Sequence, residues 1–199
     1  MYQITDAVKH LIIINVILFL ASVSIFGEYK YSFYLFYPES PLFQPWQIIT
    51  HMFMHASFNH IFFNMLMLFF IGPMMEQDLG TKRFVGFYFM CGLGGAFLHL
   101  LSKFILIHYF NHSEEINIPV VGASGAINGL FIGLAYLYPN LPMYLMFIPI
   151  PIKAKYLAIF FIAGDLIWGL SGYNTGIAHY AHLGGALFGL LLLWYWKRR

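Results

Sequence analysis

VGASGAINGLFIGLAYLY, residues 121–138, decides the fold. The run carries no charge and approaches the roughly 20 mostly apolar residues that a helix needs to cross a hydrocarbon core about 30 Å thick. Gly125, Gly129 and Gly133 form a G-x-x-x-G-x-x-x-G ladder, the ordinary signature of closely packed membrane helices. Ser124 stands at its head among small residues. Two readings of that serine are open: one more packing residue, or a hydroxyl that does chemistry.

The rest of the chain has the same character. Of its 199 residues, 60% are hydrophobic, 20% aromatic and only 9% charged. A soluble domain of this length needs a more charged surface, so the composition indicates a polytopic membrane protein. Apolar runs between polar punctuation predict six spans near 7–26, 57–76, 83–107, 121–138, 154–172 and 177–197. The fold class expected is an all-α integral membrane protein, with residues 1–199 forming one domain. Residues 27–56, which include YKYSFYLFYPESPLFQPWQ, are too long for a turn and too aromatic for a soluble linker. Aromatic rings mixed with proline suit the headgroup region, so this first loop is expected to sink partly into one leaflet.

Charge placement sets the orientation. With a cytoplasmic N-terminus, Lys9, Lys82, Arg83, Lys153, Lys155, Lys197, Arg198 and Arg199 all fall on the inner side, against Lys30 and Lys103 outside. Both termini are then cytoplasmic. The net charge of +2 gives no reason to expect nucleic acid, and the lone Cys91 excludes an intramolecular disulfide.

Polar groups inside membrane spans are costly and mark functional sites by default. The second span opens with His51, His55, Asn59, His60 and Asn64, the fourth with Ser124 and Asn128, and the sixth with His179 and His182; Asp165 lies within the fifth. The three even-numbered spans run in one direction. At 1.5 Å per residue, five or six residues past each start is roughly 8–9 Å below the outer surface. The groups can therefore meet in one layer, and His60 and Asn64, spaced i, i+4, share a helix face. A hydroxyl, an imidazole and side-chain donors are the parts of nucleophilic acyl transfer. The histidines could equally bond across helices or bind metal or haem. No H-E-x-x-H motif is present, and G-x-S-x-G fails because position 126 is alanine.

Four motifs in register add to this reading. HIFFN (60–64), GPMMEQDLG (72–80, fitting G-x-x-x-E-x-x-x-G through Gly72, Glu76 and Gly80), GASG (122–125) and AHLGG (181–185) resemble those of the rhomboid intramembrane serine proteases. The resemblance implies a six-helix bundle with a Ser–His dyad. Ser124 would be the nucleophile and His182, rather than His179, the general base and acid. His60 and Asn64 would stabilise the oxyanion together with backbone N–H groups near Ser124. Gly122, Gly125 and Gly185 would allow the close helix packing that joins the dyad. Neither metal nor cofactor is implied. The partners would be transmembrane protein substrates, cut near the outer face of the bilayer, and membrane lipids.

The chain departs from that family's pattern in places. Trp46-Gln47 stands where many members have Trp-Arg, so the arginine's anchoring of the first loop is missing. Asn128 replaces an aromatic residue that stacks on the histidine in many members, and Asp165 has no role assigned by the pattern. His51, His55 and Glu76 read as structural. The compact chain suggests a bacterial cytoplasmic membrane. The alternative function is a non-catalytic relative that binds membrane clients.

Overall fold

A computed structural model describes residues 3–144, 150–173 and 175–197. Arg198 and Arg199, used above for orientation, and Asn174 of the loop before the last span lie outside the described residues. Seven α-helices run Asp6–Ser24 (α1), Gln47–Thr50 (α2), Phe58–Leu79 (α3), Thr81–Phe110 (α4), Ser124–Leu137 (α5), Ala154–Ser171 (α6) and His179–Lys197 (α7). All but α2, a single turn, correspond to the expected spans. Helices α1, α3, α4 and α6 are long and apolar enough to cross a membrane, while α5 is apolar but shorter. The all-α expectation meets one exception. Pro142–Tyr144 (β1) pairs antiparallel with Pro151–Lys153 (β2) between α5 and α6.

Helix α5 is the hub. Most of its residues from Gly125 to Ala135 are buried, so it has no polar face and is surrounded by protein. It packs most closely with α4 and α7, and glycines set the spacing. A Cβ at Gly185 would collide with the Gly125 carbonyl oxygen, and one at Gly189 would come within 2.9 Å of the Gly129 carbonyl oxygen. On α4, a Cβ at Gly95 would lie 2.7 Å from the Ala181 carbonyl oxygen of α7. Backbone therefore meets backbone at these crossings, while elsewhere a glycine seats a neighbouring side chain, as Gly94 of α4 does Phe188 of α7.

The segment 72–80 explains its own spacing. A Cβ at Gly72 would strike Val8 of α1 at 2.7 Å, and Gly80 turns the chain from α3 into α4 at φ +74°. Between them, buried Glu76 completes the start of α1. Thr5 precedes α1 without capping it; instead the Glu76 carboxylate accepts from the N–H groups of Ala7 (3.2 Å) and Val8 (3.1 Å) and from the hydroxyls of Thr5 and Thr81. Orphan N–H groups at a helix N-terminus favour such an anionic acceptor.

Residues 27–56 are folded rather than a plain loop. Two 3₁₀ turns, Gly27–Phe33 and His51–Phe53, flank α2, and Leu35 pairs with Val120 in an antiparallel bridge. Tyr34, Phe36 and Met54 form a small core beneath them. Gln47 corrects the expectation of a missing anchor. Its amide is fully buried: Oε1 accepts from Phe36 N–H at 3.2 Å, and Nε2 donates to Leu42 O at 2.9 Å. The shorter neutral side chain ties the segment to itself. On the opposite flank, Lys103 of α4, 2% exposed, donates to the carbonyls of Glu115 and Ile118 and pairs with the Glu115 carboxylate at 3.1 Å. That holds the approach to Gly122.

Candidate active site

Ser124 is the first residue of α5. The preceding Gly122 has φ +123°, which strains any residue with a side chain, and its N–H donates to His51 O at 2.8 Å. A Cβ at Gly122 would also lie 2.7 Å from the His60 ring and 3.7 Å from Ser124 Oγ. Glycine is thus required twice, by the backbone and by the space. Ala123 provides no side-chain cap for α5, so N–H groups of its first turn are left without a helical partner beside the serine.

His182 lies in the first turn of α7, and its Nε2 stands 3.0 Å from Ser124 Oγ. The glycine contacts of α5 and α7 make this approach possible, since Gly125 and Gly185 each follow the paired residues closely in sequence. His179 does not reach the serine. Its Nδ1 lies 2.7 Å from Asp165 Oδ1 and its Nε2 lies 2.7 Å from Thr175 Oγ1. The same Asp165 oxygen is 3.2 Å from His182 Nδ1.

This connectivity assigns the protons. An ionised carboxylate only accepts, so each imidazole, in its neutral form, carries its proton on Nδ1. Both Nε2 atoms are then acceptors, and the hydroxyls of Ser124 and Thr175 must donate. The Ser124 proton accordingly points at the imidazole that could remove it.

The remaining expected residues cluster nearby. The His60 ring faces Gly122 and meets the His55 ring edge-on at 5.0 Å. Asn64, buried, donates one amide hydrogen to the His60 carbonyl at 2.9 Å. Asn128 donates to the Ser124 carbonyl at 3.0 Å, within its own helix, and does not stack on His182. His51, outside the long helices, shares a hydrogen bond between Nδ1 and Gln47 O, and burial pushes its pKa down to about 4. Burial, reinforced by the neighbouring His60, pushes that of His55 down to about 3. Neither ring nitrogen of His55 has a hydrogen-bond partner among the described residues. Among those residues no group of three or more His, Cys, Asp or Glu side chains is placed to hold a metal ion.

Asp165 is the residue whose partner the sequence left open, with water, a histidine or a proton of its own all compatible with it. An ionisable group inside an apolar span was the signal, but sequence does not say which neighbouring helix that face of α6 meets.

The model of the Rhomboid domain matches residues 42–199. The chain belongs to the rhomboid family. Among its relatives, this rhomboid is 33% identical to the mitochondrial RHOMBOID-like protein 12 of Arabidopsis thaliana over 70% of its own chain and 43% of that protein. It is 30% identical to the mitochondrial Rhomboid protein 1 of Saccharomyces cerevisiae, covering 74% of its own chain and 41% of that protein. It is also 30% identical to the Rhomboid protease AarA of Providencia stuartii, covering 74% and 54% respectively. The rhomboid therefore spans about half the length, or less, of these curated relatives.

Proposed function

We propose that this rhomboid is an intramembrane serine endopeptidase that cuts transmembrane segments of membrane proteins near the outer face of the bilayer. Ser124 is the nucleophile and His182 the general base and acid. The observation carrying this reading is the 3.0 Å approach of Ser124 Oγ to His182 Nε2 across two helices. The reading includes six spans, a first loop seated in the outer leaflet, and both termini on the cytoplasmic side.

The chemistry follows from the proton assignment. Ser124 Oγ attacks the scissile carbonyl carbon as its proton passes to His182 Nε2. The tetrahedral intermediate collapses, the C–N bond breaks, and His182 returns that proton to the leaving amine. Water then attacks the acyl ester, with His182 taking its proton and restoring it to Ser124. The developing oxyanion meets free N–H groups in the first turn of α5, the His60 ring, and the second amide hydrogen of Asn64.

Hydrolysis also needs water, which lipid does not supply. Helix α5 has 14 residues and so is about 21 Å long, against a hydrocarbon core of about 30 Å. On this reading a short α5 that starts at Ser124 sets the serine below the outer surface, where water can reach it from above. A helical substrate has to unwind locally before its carbonyl reaches that depth.

The test uses purified wild type, Ser124→Ala and His182→Ala in liposomes with a fluorescent single-pass substrate, plus a fluorophosphonate probe. Wild type should label and cleave, and both variants should do neither. A folded wild type that neither labels nor cleaves would support client binding instead.

A further inference from the structure

We propose that Asp165 is a positioning residue for His182, and that it ties the state of the catalytic base to the seating of α6 against α7. This rests on the protease reading and adds a third participant carried by a different helix.

A purely structural ion pair would explain part of the arrangement. Asp165 already has a good partner in His179 at 2.7 Å, and His179 is satisfied on its other face by Thr175. Packing does not need a second histidine. Yet the same carboxylate oxygen stands 3.2 Å from His182 Nδ1, directly opposite the nitrogen that faces Ser124. The order Thr175, His179, Asp165, His182, Ser124 is one continuous chain of hydrogen bonds. Only an acceptor at Asp165 fixes the His182 proton on Nδ1 and leaves Nε2 free to take the serine's proton.

The groups around His182 leave no other candidate among the described residues. Helix α5 presents Ser124, α3 presents His60, and α4 meets α7 through Gly94 and Gly95. His179 on α7 itself points at Asp165. None of these offers a carboxylate.

The second observation is how α6 is held. Its buried residues are Ala154, Leu157 and Ala158, all near its beginning. Further along, Leu166, Ile167, Trp168 and Leu170 are exposed. Polar contacts from this half to α7 include those of Asp165 and the bond from Tyr180 Oη to Gly169 O at 2.9 Å. Displacing that half of α6 withdraws the carboxylate from His182. The base is then complete only with α6 in place, so closure around a substrate and readiness for chemistry coincide.

The test combines kinetics with ¹⁵N-histidine NMR of the full chain in nanodiscs, the His182 signal being assigned by its loss in His182→Gln. In the wild type the His182 proton should reside on Nδ1. Asp165→Asn should lower kcat at least about 100-fold, a smaller loss than the roughly 10⁴-fold seen when a full triad loses its carboxylate, with KM within about two-fold. Asp165→Glu, which keeps the acceptor, should recover part of that loss. A wild-type His182 protonated on Nε2 would overturn the proposal without recourse to any variant. So would a folded Asp165→Asn protein with wild-type kcat. A wild type that neither labels nor cleaves overturns the protease reading instead, and the tautomer alone then decides the Asp165 contact.

Discussion

Gly125 on α5 and Gly185 on α7 touch backbone to backbone, with no room for a methyl group between them. The contact lies one residue beyond Ser124 and three beyond His182, so it sets the separation of the Ser124 hydroxyl from the His182 ring. Gly185→Ala should push the helices apart, cost about 3 kcal/mol of stability and remove activity. Gly164→Ala is the control: its Cβ would meet nothing within 4 Å, and helix propensity should give a gain of up to about 1 kcal/mol. Unfolding by steric trapping, paired with substrate cleavage, measures both.

Glu76 offers a test remote from chemistry. Glu76→Ala leaves the Ala7 and Val8 N–H groups and two threonine hydroxyls without their acceptor. The expected cost is about 2 kcal/mol, seen as a lower midpoint in thermal unfolding.

Gln47 makes a local prediction. Gln47→Ala strands the buried Phe36 N–H and releases the carbonyl of exposed Leu42, at a cost of about 2 kcal/mol. Because those bonds close the segment on itself, limited proteolysis within residues 27–46 should accelerate well before the whole protein unfolds.

Acid should destabilise the fold through its buried imidazoles. His51 and His55 have folded pKa values near 4 and 3 against 6.5 when free, so the unfolded chain takes up protons that the folded chain refuses. Their contribution is whole above about pH 6.5 and is lost as the pH falls towards those folded values, at about 1.4 kcal/mol per pH unit for each histidine. Unfolding measured at pH 7 and pH 5 should show the decline, and His51→Asn should flatten it.

Much of this was legible in the sequence, for identifiable reasons. Apolar runs placed every helix but the single-turn α2, because membrane length leaves little freedom. The shared depth of Ser124 and the histidines followed from counting residues along parallel helices. The expected fourth span began at 121, whereas α5 begins at Ser124, because Gly122 with its positive φ belongs to the approach rather than the helix. Partner choice was not legible. Whether Asp165 meets His179, His182 or water depends on the rotation of α6 about its axis, which a uniformly apolar sequence does not encode. Likewise Gln47 looked like a loss because its anchoring partners are backbone groups of Phe36 and Leu42, which carry no signature in side-chain identity.

The glycine contacts joining α4, α5 and α7 have a mechanical consequence. Where main chain bears directly on main chain, no side chain can change rotamer to absorb a strain, so the three helices behave as one stiff body. Compliance is displaced to what surrounds it. Heat, detergent or lateral pressure should therefore loosen the far half of α6 long before Ser124 and His182 part from each other. On the protease reading proposed above, loss of turnover then need not mean loss of the Ser124–His182 contact, and cleavage lost in a given detergent should resume when α6 is pressed home again.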